Sequence, residues 1–217
     1  MPSDPSPAVR PLRPATPNAT PNGAWMLWVD GVGGFRVLAD GPWSIGGPGE
    51  AGDASICVQA ALPRWAATLD RQGRDYFLQR APAEDRAGNP KGASPSLAAA
   101  QPLRHPDRFC LGEGVSFEFG CPHPLSSSAR LTMEPPFRFR PHADAVLLLT
   151  DTLLLGPTAD CHVSTAAATQ SVVLFRRDDR WFHKRLPAGG GAPAAAVPFA
   201  TGARQQVAGL TWTLERA

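Results

Sequence analysis

The stretch WMLWVDGVGGFRVLA, residues 25–39, places two short apolar runs on either side of a glycine-rich turn. Asp30-Gly31 between such runs is a typical signal of a β-hairpin. Runs of about five or six residues, the usual length of a strand, recur along the chain as WSIGG, ASICVQ, WAATLD, DYFLQR, VSFEF, ARLTM, AVLLLTD, SVVLFRR and WFHKRL. The closing GLTWTLE, residues 209–215, alternates large apolar and polar side chains, as a half-buried strand does. The sequence therefore predicts an all-β protein.

The composition of the 217 residues supports this fold class and argues against several classes of function. Hydrophobic residues make up 43% of the chain, which is enough for a core, and 24 prolines with 21 glycines favour turns over long helices. The 21 basic residues nearly balance the 19 acidic ones, so the net charge of +2 favours neither nucleic acid nor a membrane surface as a partner. Without a long apolar run or an apolar secretory segment near the N-terminus, we expect a cytoplasmic protein.

Changes in composition predict three parts of the chain. Residues 1–24 are rich in proline and poor in large apolar side chains, so we expect a disordered tail. The Pro135-Pro136 break then separates residues 25–134 from residues 135–217. Each part contains paired strands, a strand that ends in a glycine turn, further hairpins and a closing strand, which is typical of a β-sandwich.

The residues that could carry chemistry are scattered. The motif GPGEAG, residues 47–52, is a literal GxGxxG, but a strand-like segment follows it, which favours a permissive turn over a nucleotide site. His162 lies alone beside Val163 and is expected to be a hydrogen-bonded structural group. The cysteines are too far apart for a zinc site and are expected to be small buried thiols: Cys57, Cys110, Cys121 and Cys161. We therefore expect no enzyme, no cofactor and no metal.

A series of short motifs runs through the first half in a fixed order: SIGG at 44–47, AGDASICV at 51–58, LPRWAATL at 62–69, GRDYFL at 73–78 and RFCLGEGVSFEF at 108–119. In this order they resemble the forkhead-associated (FHA) domain family. TLLLGP at 152–157 is a fainter echo, and PHPLSSSARL at 122–131 is similar to a segment of tandem FHA-like proteins of planctomycete type. The resemblance implies two FHA-like antiparallel β-sandwiches, of the SMAD/FHA type, behind the disordered tail.

The resemblance also implies a phosphopeptide-binding site on loops at one end of a sandwich. Its residues would be Gly46, Gly47, Arg64 and Asn89. The pattern is degenerate, because Gly47 stands where the family has its phosphate-binding arginine and Pro63 stands where it has a serine. A proline offers neither a hydroxyl nor an N–H to a phosphate.

Arg64 has two readings. It could contact an anion with help from the amides of residues 46–49, or it could stack on Trp65 or pair with Asp70. The second reading is favoured. Trp65 itself, like the other tryptophans of the first half, is expected to pack in the core or under a loop.

Two classes of function remain from these observations. The first is a non-enzymatic protein–protein recognition module that binds a phosphothreonine-containing partner in a kinase-linked signalling pathway. The alternative is a structural or scaffolding β-sandwich protein whose phosphate site has been lost, which the missing arginine and serine favour. An enzyme on a jelly-roll scaffold would need a nucleophile, metal or acid–base group that the sequence does not offer.

Overall fold

The computed structural model describes residues 23–49, 53–81, 100–187, 189, 191–192 and 194–217. All regular structure in these ranges is β-strand, which confirms the all-β prediction. No helix with the length and apolar character of a membrane span occurs within them.

The described strands follow the predicted runs closely and are numbered in chain order: β1 (Ala24–Val29), β2 (Gly33–Ala39), β3 (Trp43–Gly46), β4 (Ile56–Val58), β5 (Ala67–Gln72), β6 (Asp75–Arg80), β7 (Gln101–Leu103), β8 (Asp107–Leu111), β9 (Val115–Gly120), β10 (Ala129–Met133), β11 (Phe139–Arg140), β12 (Ala145–Leu149), β13 (Thr152–Gly156), β14 (Val163–Ser164), β15 (Ser171–Arg177), β16 (Arg180–Leu186), β17 (Val197–Phe199), β18 (Gln205–Val207) and β19 (Leu210–Arg216). The sequence did not predict β7, a short edge strand that contains Pro102. Proline is tolerated at a sheet edge because the missing N–H costs no ladder bond there.

The strands form one large sheet covered on both faces. The eight-stranded sheet has the order β18-β19-β1-β2-β12-β10-β9-β8. A six-stranded sheet, β11-β4-β3-β5-β6-β7, packs on one face, and a five-stranded sheet, β14-β13-β15-β16-β17, packs on the other. Strand β12 is buried on both faces, and so are most of β1 and β2 apart from Trp28 and Arg36, so successive side chains of these strands enter different cores.

The centre of the large sheet is the parallel pair β2–β12. Val37 lies beside Leu147 in one core, and Leu38 lies beside Leu148 in the other. Asp144 fastens the start of the pair, since its N–H donates to the carbonyl of Gly34 at 2.8 Å and its carboxylate accepts from the Gly34 N–H at 2.8 Å. Continuous apolar runs such as AVLLL are typical of strands buried on both sides.

The prediction of purely antiparallel layers needs correction. Each sheet contains one parallel pair: β2–β12, β3–β4 and β13–β14. The apolar period of a strand does not depend on the direction of its neighbour, so the sequence could not distinguish the two arrangements.

Two halves of the chain have the same strand order. Strands β4-β3-β5-β6-β7 match β14-β13-β15-β16-β17 in order and in the direction of every pair. The large sheet also reads the same outward from its centre, with β12, β10, β9 and β8 on one side and β2, β1, β19 and β18 on the other. A two-fold axis that relates the neighbouring parallel strands β2 and β12 must run parallel to them within the sheet. Rotation about such an axis exchanges the two faces of the sheet. This explains why the covering sheets lie on opposite faces.

This symmetry places β1 with the second half. It pairs with β19 and holds the position that β10 holds beside β9. Its residues Trp25, Leu27 and Val29 pack in the same core as Leu153, Leu174 and Trp212. The predicted division after residue 134 stays a prediction, and strands from both sides of it share the large sheet. Strand β1 also begins one residue inside the predicted tail, of which residues 1–22 lie outside the described part.

Substitutions at neighbouring positions of β12 should report on the two cores separately. Leu147→Ala and Leu148→Ala remove the same volume from opposite faces, and both side chains are fully buried. Each should lower the free energy of unfolding by about 2–5 kcal/mol. Because both cores share β12, urea denaturation followed by tryptophan fluorescence and far-UV circular dichroism should show one transition. Two transitions, of which each variant shifts one, would show that the halves unfold independently.

Candidate functional site

The loops of the predicted site meet at one end of the six-stranded sheet. The Gly47 N–H donates to the Pro63 carbonyl at 2.9 Å, and the Ala66 N–H donates to the Ile45 carbonyl at 2.8 Å. The backbone of Arg64 passes so close to Gly46 that a Cβ there would overlap the Arg64 carbonyl. Gly46, Gly47 and Arg64 therefore lie together, and the glycines allow the close approach of two backbones. The fourth predicted residue, Asn89, lies outside the described residues.

The Arg64 side chain stacks on its neighbour. Its guanidinium carbon lies 4.5 Å from the centre of the Trp65 ring, which is a cation–π contact. Its aliphatic stem runs along Gly49, where a Cβ would come within 3.1 Å of Cδ. Of the two readings of Arg64, the structure supports the stacking one.

Trp65 is 38% exposed, contrary to the expectation that it packs in the core or under a loop. Trp28 is also exposed, whereas Trp25 and Trp43 are buried as expected. The exposed part of the Trp65 ring, with the Arg64 guanidinium stacked on it, therefore forms an apolar surface that we call the Arg64–Trp65 platform. The sequence RWAATLD does not indicate that Trp65 is exposed. Trp65 lies before β5, so the alternation of buried and exposed residues in that strand does not apply to it.

The amides of the glycine loop are engaged within the protein. Gly47 donates to Pro63, and Gly49 donates to the Asp53 carboxylate at 3.3 Å. Pro48 has no N–H to offer. The loop therefore directs fewer donors toward an anion than the sequence suggested, and the Asp53 carboxylate beside it is itself paired with Arg140 at 3.7 Å.

A second polar cluster joins the segment before β10 to the start of β13. The Asp151 carboxylate accepts from the Ser126 hydroxyl at 2.9 Å, the Ser128 hydroxyl at 3.2 Å and the Ser127 N–H at 3.1 Å. Partial burial raises the pKa of Asp151, but the hydrogen bonds, led by those from the Ser127 and Thr152 amides, outweigh it and hold the pKa below its ordinary value. No local pattern predicts this cluster, because Asp151 lies 23 to 25 residues after the three serines in the chain.

His162 also lies between the segment before β10 and strand β13, in a contact that we call the junction. Its Nδ1 accepts from the Leu154 N–H at 3.1 Å, and its Nε2–H donates to the Ser128 carbonyl at 3.1 Å. The ring is fully buried, and burial lowers its pKa to about 4 despite the opposing effect of the Ser128 bond. Both nitrogens are bonded to the backbone rather than to a serine hydroxyl, so this Ser–Asp–His group has the geometry of a structural fastening and not of a nucleophile with its base. His162 is hydrogen-bonded, as predicted.

The cysteines are free thiols in different environments. Cys57 and Cys161 are buried and Cys121 is half-buried, whereas Cys110 is exposed, which corrects the expectation of four buried thiols. Burial raises the pKa of Cys57, and it raises that of Cys121 to about 11, so both stay protonated at neutral pH. Among the described residues, no three His, Cys, Asp or Glu side chains are grouped so that they could hold a metal ion.

Comparisons with protein families, with curated proteins and with solved structures found no match for this chain. The assignment of a function therefore depends on the geometry of the described residues.

The contact between the two loops makes Gly46 sensitive to substitution. In Gly46→Ala the new methyl group overlaps the Arg64 carbonyl, so the loop of residues 60–65 must move. We expect a loss of at least about 3 kcal/mol in urea denaturation, as for a severe packing defect. Gly49→Ala is the matched control, because its methyl group meets the Arg64 side chain at 3.1 Å rather than a backbone carbonyl and should cost less than about 1 kcal/mol. Equal losses would contradict the described approach of the two backbones.

The low pKa of His162 predicts that stability falls in mild acid. Between its ordinary pKa of 6.5 and its folded-state pKa of about 4, the unfolded chain binds a proton that the folded chain does not. The contribution of His162 is therefore full above pH 6.5 and lost toward pH 4, by about 3 kcal/mol. The lowered pKa of Asp151 acts only below its ordinary value of 3.8 and leaves this window unchanged.

The measurement is the free energy of unfolding at pH 7 and pH 4.5 in the wild type and in His162→Gln. The variant keeps a donor and an acceptor but cannot ionise, so its pH dependence should be shallower by about 2–3 kcal/mol. His183, whose pKa burial also lowers, is present in both chains and cancels in the difference. An unchanged slope would show that His162 does not carry the effect.

Proposed function

We propose that this chain is a non-enzymatic protein–protein recognition module and that the Arg64–Trp65 platform is its contact surface. The observation that carries the proposal is the exposed Trp65 ring under the Arg64 guanidinium, 4.5 Å from the ring centre. Tryptophan and arginine are the residue types most enriched among the energetic hot spots of protein interfaces.

The platform is already ordered in the absence of a partner. The stacked guanidinium restricts the rotation of the indole, and the hydrogen bonds of Gly47 and Ala66 tie the loop to β3. A side chain that is already ordered loses little conformational entropy on binding. Loops on a rigid sheet are the usual place for recognition residues, and the resemblance to FHA domains points to the same end of the sandwich.

Recognition of a phosphorylated partner is the second candidate, and the presence of Arg64 at this loop end favours it. A guanidinium can bind a phosphate dianion through two parallel hydrogen bonds. Two features argue against selectivity for phosphate: the amides of Gly47 and Gly49 already bond within the protein, and Pro63 offers no N–H. We therefore infer a contact surface whose affinity comes mainly from the Trp65 ring.

The test compares partner binding by substituted chains. Partners captured from a lysate by the wild type are identified by mass spectrometry, and their affinity for each purified variant is then measured by calorimetry. Trp65→Ala and Arg64→Ala should each weaken binding at least about tenfold, as hot-spot residues do. The matched controls are Trp28→Ala, at a similarly exposed tryptophan of β1, and Arg74→Ala, in the turn between β5 and β6. Equal binding by all five chains would overturn the proposal.

The phosphate question has its own measurement. A library of threonine peptides, each in a phosphorylated and an unmodified form, is titrated against the wild type and Arg64→Ala. We expect binding of the two forms to differ by less than about threefold, because one arginine without supporting amides gives little selectivity. A preference of tenfold or more that disappears in Arg64→Ala would establish the second candidate instead.

A further inference from the structure

The five-stranded sheet buries one of its faces and leaves the other without a covering sheet. Val172, Leu174 and Trp181 point into the core that it shares with the eight-stranded sheet. The residues that alternate with them in β15 and β16 point the opposite way. No other sheet packs on that side within the described part of the chain. We call this side the outer face, and its central positions are Val173, Phe175, Arg177, Arg180, Phe182 and Lys184.

Aromatic rings and cations occupy the centre of the outer face. Phe175 and Phe182 pair across the hairpin and stack, with their ring centres 5.5 Å apart. The Arg177 guanidinium and the Lys184 Nζ each lie 6.0 Å from the centre of the Phe175 ring. The Arg180 guanidinium lies 5.8 Å from the centre of the Phe182 ring. None of the three cations forms an ion pair with a carboxylate among the described residues, so the face carries positive charge beside its apolar centre.

The first half of the chain contains the equivalent hairpin, β5 with β6. Pro102 of β7 lies beside Phe77 as Pro198 of β17 lies beside Phe182, and this fixes the alignment of the two hairpins. The aligned cross-strand pairs are Thr68 with Gln79 against Val173 with Lys184, Asp70 with Phe77 against Phe175 with Phe182, and Gln72 with Asp75 against Arg177 with Arg180. At these positions the first hairpin has two carboxylates and no cation, whereas the second has three cations and no carboxylate.

This difference shows that the fold does not require the composition of the outer face. The hairpin of β5 and β6 forms with polar and acidic side chains at the same positions, so Phe175 need not be aromatic and Arg180 need not be cationic for the strands to pair. Phe175 and Phe182 are half-buried, and large apolar side chains that lie together at a surface mark contact sites for other macromolecules. Aromatic residues and arginine are also enriched in protein interfaces.

We propose that the outer face binds an acidic segment of a partner protein that carries both carboxylates and apolar side chains. Its carboxylates pair with Arg177, Arg180 and Lys184, and its apolar side chains cover the stacked rings of Phe175 and Phe182. The outer face belongs to a different sheet from the Arg64–Trp65 platform, and its role does not depend on that of the platform.

A nucleic acid is the alternative anionic partner, and two observations disfavour it. The rings of Phe175 and Phe182 already stack on each other and are approached by cations, whereas a base needs a free ring face. The net charge of the whole chain is only +2, which gives little attraction for a phosphate backbone. The observations therefore favour an acidic protein segment.

The first hairpin supplies test substitutions that this fold accommodates. Phe175→Asp and Arg180→Asp each introduce the residue found at the aligned position of β5 or β6, and the double variant Arg177→Gln/Lys184→Gln introduces the two aligned glutamines. Arg74→Asp, in the turn between β5 and β6, is the matched control, because it lowers the net charge as much as Arg180→Asp or the double variant does. Circular dichroism establishes that each variant is folded. The double variant replaces polar ends at the surface and keeps the test valid where Phe175→Asp does not fold.

The measurement is peptide binding by fluorescence anisotropy. Binders are selected from random sequences of Glu, Asp, Phe and Leu, and each is compared with its form that carries Lys in place of both acids. The wild type should bind the acidic form at least about tenfold more tightly, and added salt should weaken this binding. Phe175→Asp, Arg180→Asp and the double variant should each weaken it at least about tenfold, whereas Arg74→Asp and Trp65→Ala should change it less than about twofold.

The same experiment can contradict the proposal in three ways. Failure to select any binder, or equal affinity for the acidic and lysine forms, would overturn it. A loss in Arg74→Asp as large as in Arg180→Asp would show an effect of net charge alone and would also overturn it. Tighter binding of an oligothymidine than of the peptides, lost in the outer-face variants, would assign the face to nucleic acid instead.

Discussion

The parallel pair β2–β12 is the constraint on which the rest of the structure depends. Its side chains point alternately into two cores, so Val37 and Leu147 stabilise one side and Leu38 and Leu148 the other. Strand β12 is apolar along its length and Arg36 is the one charged residue of β2, which is typical of parallel strands that are largely buried. A polar side chain at any of these positions would be buried without a partner, and the energetic penalty would fall on a layer that both cores share.

The symmetry about this pair explains why β1 belongs with strands of the second half. Among the described strands, β1 holds beside β19 the position that β10 holds beside β9, although β1 comes from the first part of the chain. The buried junction of Asp151, Ser126, Ser128 and His162 then ties the segment before β10 to the start of β13. These serine, aspartate and histidine side chains therefore hold the two segments together through hydrogen bonds.

The candidate recognition surface is also determined by which polar groups are hydrogen-bonded within the protein. At the loop end of the six-stranded sheet, the amides of Gly47 and Gly49 bond within the protein, and the Trp65 ring is the large apolar side chain exposed there, with Arg64 stacked on it. An exposed aromatic ring on a rigid support contributes binding energy through buried area rather than through specific donors. This is why we place the affinity of the proposed module in Trp65 and assign phosphate a secondary role.

The sequence by itself determined the strands, because an apolar period of two and turn signals such as Asp30-Gly31 act over a few residues. The resemblance to FHA domains, carried by short motifs in a fixed order, also implied Gly46, Gly47 and Arg64 as site residues. Only the tertiary structure decided which strands are neighbours, which pairs are parallel, that Trp65 faces solvent and that Asp151 meets Ser126 and Ser128. Alternation shows that a face is buried but not what buries it, and contacts between residues far apart in the chain leave no local pattern.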